Sequence, residues 1–115
     1  MSGITSHVLD TSRGKPAEGI SIQLELNRGT PDSPDWLTIG AGRTNDDGRV
    51  PGLTEGEIQA GRYRINFHVA DYFSRLEVEA FYPVVRIEFE IRNAEQHYHV
   101  PLLLNPFGYS TYRGS

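Results

Sequence analysis

The chain contains no cysteine. That absence rules out a disulfide framework, a thiolate nucleophile and any metal held by sulfur, and it fits a reducing compartment. No apolar run approaches the roughly 20 residues that a membrane-crossing helix needs. The stretch from Met1 to His7 lacks the basic-then-apolar order of a secretory leader, so a cytoplasmic protein is expected. Basic residues are few and dispersed: 11 Lys and Arg against 15 Asp and Glu give a net charge of −4. Nucleic-acid binders present a basic face or run, so neither nucleic acid nor a membrane is an expected partner. The phosphate-binding loop, the dinucleotide fingerprint, the nucleophile elbow and the zinc-binding helix pair are all missing. No repeat, low-complexity segment or linker interrupts the chain, and residues 1–115 read as one domain. With 37% apolar and 23% charged residues, a chain of this length can bury a core without staples.

What the sequence does have is a period of two. Ile20, Ile22, Leu24 and Leu26 alternate with Ser21, Gln23, Glu25 and Asn27. Tyr63, Ile65, Phe67 and Val69 alternate with polar residues in the same way, as do Val85, Ile87, Phe89 and Ile91. Each run predicts a strand with one face in a core and one in solvent. Weaker strands are expected over residues 4–9, 36–43 and 98–104. Turn residues fill the gaps at Arg13-Gly14-Lys15-Pro16, Arg28-Gly29-Thr30-Pro31, Asn45-Asp46-Asp47-Gly48 and Glu55-Gly56. Short strands so spaced predict an all-β antiparallel sandwich. One segment differs: Tyr72, Phe73, Leu76 and Ala80 predict a single short helix of about two turns, capped by Asp71 and ending before Pro83.

Four groups of residues carry chemistry. His97 and His99 lie two apart in a strand, so both imidazoles leave the same face, opposite the core face of Tyr98, Val100, Leu102 and Leu104. Pro101 and Leu103 continue the histidine face, and apolar residues on a solvent face suggest contact with another subunit. His7, at the end of the first strand, could pair with His99 so that one imidazole takes a proton while the other gives one. Arg49, after the Asp47-Gly48 turn, is an always-charged fork suited to a carbonyl or an oxyanion. The fourth group is the C-terminal Tyr112-Arg113-Gly114-Ser115, which gathers phenol, guanidinium, hydroxyl and carboxylate in one short segment. Three histidines could instead bind zinc, though no further signature accompanies them.

These segments together resemble one family. Ser6-His7-Val8-Leu9-Asp10 with Gly14-Lys15-Pro16-Ala17, Thr44-Asn45-Asp46-Asp47-Gly48-Arg49, His97-Tyr98-His99-Val100-Pro101-Leu102-Leu103-Leu104 and Tyr109-Ser110-Thr111-Tyr112-Arg113-Gly114-Ser115 look like the 5-hydroxyisourate hydrolases, the transthyretin-related proteins of purine catabolism. The resemblance spans the chain, and the Tyr-Arg-Gly-Ser ending is its most specific mark. It implies a transthyretin-like sandwich assembled as a homotetramer of two dimers, with active sites where the dimers meet. It implies hydrolysis of 5-hydroxyisourate to 2-oxo-4-hydroxy-4-carboxy-5-ureidoimidazoline in urate degradation, without a cofactor or a metal. Carried over by position, the catalytic residues are His7, Arg49, His99 and Ser115. His7, Arg49 and Tyr112 bind substrate, with His97, Arg113 and Gly114 as secondary candidates. On this reading His99 or His7 is the base that activates water. A carrier of small ligands, as in transthyretin itself, is the alternative.

Overall fold

A computed structural model describes residues 3–54 and 57–114. Eight strands and one helix follow in the order β1 (Gly3–Asp10), β2 (Lys15–Pro16), β3 (Ser21–Asn27), β4 (Trp36–Arg43), β5 (Gly61–His68), α1 (Val69–Arg75), β6 (Val85–Ile91), β7 (His97–Asn105) and β8 (Gly108–Thr111). They form two four-stranded sheets, ordered β2-β1-β7-β8 and β4-β3-β5-β6. The expected sandwich is antiparallel in every pairing but one: β1 and β7 run parallel, in register from Gly3 opposite His97 to Asp10 opposite Leu104.

The alternating residues close the core as their parity requires. Ile20, Ile22, Leu24, Ile65, Phe67 and Val69 are fully buried, and across the sandwich Val8 and Leu102 are too. Each such side chain contributes roughly 1.5–3 kcal/mol relative to exposure. The sheet that carries the histidines is tied down at its far end by Asp10, which is also fully buried. Burial by itself would raise its pKa. Hydrogen bonds from Ser12, from the Tyr72 hydroxyl at 2.7 Å and from the backbone N–H groups of Arg13 and Ser12 outweigh that and hold it below its ordinary value.

Three sequence expectations need correction. The helix begins at Val69 rather than after Asp71, because its inward stripe is Val69, Tyr72 and Phe73, and Asp71 lies in its first turn rather than at its cap. It stops at Arg75, where Glu77 takes a positive φ of 57°, so Ala80 packs against the core from a loop. Lys15 and Pro16, read as turn, form β2 against Asp10 and Leu9. Pro101, expected on an exposed patch beside Leu103, is already buried within the chain. The expected turn at Glu55-Gly56 lies outside the described residues.

Candidate active site

The parallel pairing of β1 with β7 builds the site. Thr5, His7 and Leu9 occupy the outward positions of β1, and His97, His99, Pro101 and Leu103 those of β7. Because the register sets Thr5 opposite His99 and His7 opposite Pro101, residues some ninety positions apart share one face. The Thr5 hydroxyl oxygen lies 2.8 Å from His99 Nδ1 and 2.9 Å from His97 Nε2. His99 Nε2 has no hydrogen-bond partner among the described residues.

Arg49 arrives from a different element. β2 covers only Leu9 and Asp10 of β1, which leaves Val8 N–H free to donate to the Gly48 carbonyl at 2.8 Å and lets Arg49 bridge to His7. The turn is held by Asn45, whose side-chain oxygen accepts from the N–H of Asp47 at 2.9 Å and of Arg49 at 3.1 Å. Its N–H donates to the Arg49 carbonyl at 2.8 Å. Gly48 sits at a φ of 77°, and a Cβ there would run into the Val8 carbonyl. Glycine is required both by the left-handed backbone and by the close approach to β1.

The C-terminal segment clips onto β7 from the other side. Gly114 N–H donates to the His99 carbonyl at 2.8 Å. A Cβ at position 114 would stand 2.6 Å from His99 Cδ2, so any side chain would press on the ring. Arg113 lies 4.4 Å from the centre of the Tyr98 ring and donates to Gln96 at 3.0 Å. Arg113 and Gly114 therefore hold the tail against β7.

Electrostatics single out one histidine. The pKa of His99 falls below its ordinary value of 6.5, first because the ring is partly buried, then through electrostatic repulsion from Arg49 and, after it, from the neighbouring His7 and His97. Each of those effects disfavours the imidazolium. The result is a histidine kept neutral near neutral pH, beside a permanent cation. Such a set can take a proton from water and hold the negative charge that develops on a carbonyl oxygen.

His7, Arg49, His97 and His99 are thus brought together. Tyr112 is not: it is 58% exposed and lines a separate cavity of about 310 Å³ with Ile87, Phe89, Tyr98 and Val100, between the edge strands β6 and β8. Ser115 lies outside the described residues. Among those described, no three His, Asp or Glu side chains are arranged to hold a metal ion. Thr5 and Gln96 were not singled out from the sequence. Parity puts Thr5 on the His7 face, but its place opposite His99 follows from a pairing between opposite ends of the chain.

Residues 4–114 match the HIUase/Transthyretin family. The chain belongs to that family. It is 47% identical over 117 residues to a probable 5-hydroxyisourate hydrolase of Caenorhabditis elegans, across 99% of this chain and 82% of that one. Among solved structures, Klebsiella pneumoniae 5-hydroxyisourate hydrolase superposes with a TM-score of 0.85 at 35% identity, covering 100% of both chains. Sea bream transthyretin in complex with thyroxine gives 0.86 at 29% identity, over 96% of this chain and 93% of that one. The backbone alone therefore does not separate these two kinds of neighbour.

Proposed function

We propose that the chain hydrolyses 5-hydroxyisourate to 2-oxo-4-hydroxy-4-carboxy-5-ureidoimidazoline, as a cytoplasmic enzyme of urate degradation. The observation that carries this reading is the convergence of His7, Arg49 and His99 on one outward face, with His99 held neutral. A ligand carrier has no need of a neutral imidazole set beside a fixed cation.

Hydrolysis of the ring amide needs no side-chain nucleophile. Water attacks the ring carbonyl carbon as His99 Nε2 takes its proton, and Arg49 balances the negative charge that forms on the oxygen. The C–N bond then breaks, the departing nitrogen takes a proton from a histidine and becomes part of the ureido group, and the carbonyl carbon stays on the five-membered ring as the 4-carboxyl group, which ionises. His7, next to Arg49, shares the binding of the substrate and the handling of that second proton. The test uses 5-hydroxyisourate made from urate with urate oxidase. The protein should accelerate the decay of its absorbance, and decay at the spontaneous rate would refute the activity.

We further propose that the working form is a homotetramer whose sites are completed between subunits. Leu103 supports this: it is half-buried, lies on the histidine face and has Ser110 opposite it on the edge strand β8. Covering such an apolar residue is favourable by roughly 25 cal/mol per Å², and a symmetric copy is the commonest cover. Tyr112, remote from the histidines within one chain, would then bind substrate at a composite site. Leu103→Glu should split the assembly in light scattering and lower turnover together. A fully active monomer would refute the composite site.

A further inference from the structure

Thr5 faces two imidazoles with one proton. A threonine hydroxyl donates a single hydrogen bond and accepts others, yet its oxygen lies within bonding distance of both His99 Nδ1 and His97 Nε2. Only one of those nitrogens can receive the hydroxyl proton, so the other must bear a proton and donate it to the oxygen. The two rings are coupled through this group.

We infer that Thr5 is a positioning residue that fixes the tautomer of His99, with His97 as the acceptor that completes the chain. In the productive arrangement His99 Nδ1–H donates to Thr5, and Thr5 O–H donates to His97 Nε2. His99 Nε2 then carries a bare lone pair, which is the form a base must have. When that lone pair takes a proton from water, Nδ1–H keeps donating to Thr5, so no hydrogen bond is lost in the step. In the opposite arrangement His97 Nε2–H donates to Thr5, and Thr5 O–H points at His99 Nδ1. The His99 proton then sits on Nε2, and the base is silent. His97 is exposed, whereas the His99 ring is partly buried, so the reacting lone pair belongs to His99 and the acceptor position to His97. The charged and titratable groups facing the pair are His7 from β1 and Arg49 from the turn. From the described part of the tail, Gly114 meets His99, while Arg113 is engaged by Tyr98 and Gln96.

The inference rests on the proposed hydrolase reading, and the experiment separates the two. Wild type, Thr5→Val, Thr5→Ser and His97→Leu are compared with 5-hydroxyisourate and by ¹⁵N NMR of the His99 ring. A wild type that does not accelerate decay sinks the hydrolase reading, whereas the ring shifts still report on the tautomer. The wild-type ring should show a protonated Nδ1. Thr5→Val, close in shape and lacking the hydroxyl, should lose about tenfold in kcat, the worth of one hydrogen bond, with KM little changed and the His99 shifts moved toward Nε2–H. Thr5→Ser should restore both. His97→Leu, at an exposed position, frees the Thr5 proton to turn toward His99 Nδ1 and should move the shifts the same way, even if Thr5→Val folds poorly. Unchanged His99 shifts in His97→Leu, or full kcat in a folded Thr5→Val, overturn the assignment.

Discussion

His99→Ala is expected to lower kcat/KM for 5-hydroxyisourate by roughly 10²–10⁴-fold, the range for loss of a positioned general base. The fold should survive. His99 lies on the outward face of β7, opposite the buried Tyr98, Val100, Leu102 and Leu104, so stability should change by about 1 kcal/mol or less. The wild-type pH profile supplies an independent check on the same residue. The base works only when unprotonated, so kcat/KM must fall as pH drops through its pKa. Partial burial of the ring, then Arg49, His7 and His97, set that pKa below 6.5, so the acid limb should lie below pH 6.5. The unfolded chain, with its ordinary histidine, binds the proton more readily than the folded one. Stability should therefore also decline as pH falls from 6.5 toward the His99 value. A folded His99→Ala with full turnover, or an acid limb above pH 6.5, would remove His99 from the role of base.

Arg49→Gln should cost on the order of 10²–10³ in kcat/KM, as loss of one oxyanion contact does elsewhere. It should also move the acid limb to higher pH. The two effects have one origin, a fixed positive charge that stabilises the oxyanion and opposes protonation of His99. Arg49→Lys separates charge from shape. It keeps a cation, so the limb should stay near its wild-type position, but it gives up the planar fork, so part of the rate should be lost. Kinetics of the three proteins across pH settle the matter. An Arg49→Gln enzyme with wild-type rate and an unmoved limb would show that Arg49 serves only the turn.

Much of this arrangement is legible in the sequence because it depends on short-range pattern. The residues that alternate in β3, β5 and β6 point inward as read, and residues 36–43 and 85–91 are strands to the residue. The pairing of His97 with His99 on one face follows from the two-residue period alone. What escapes a local reading is long-range. β2 has two residues and β8 four, too few for a periodicity to show. The helix start is masked because Val69 satisfies both the strand alternation before it and the helical stripe after it. Position 101 has an outward parity, and its burial depends on tertiary surroundings that no period encodes. Most of the site falls in the same class. Arg49 reaches His7 only because β2 is short enough to leave Val8 N–H to the Gly48 carbonyl, and Thr5 reaches His99 only because β1 and β7 run parallel.

The most direct test compares wild type with a His7→Ala, Arg49→Ala, His99→Ala triple variant in the decay of freshly made 5-hydroxyisourate, with circular dichroism run on both. Wild type is expected to accelerate decay, and the triple variant to match the spontaneous rate while keeping its β-sheet spectrum. A folded triple variant that still hydrolyses at the wild-type rate would place the chemistry elsewhere on the molecule.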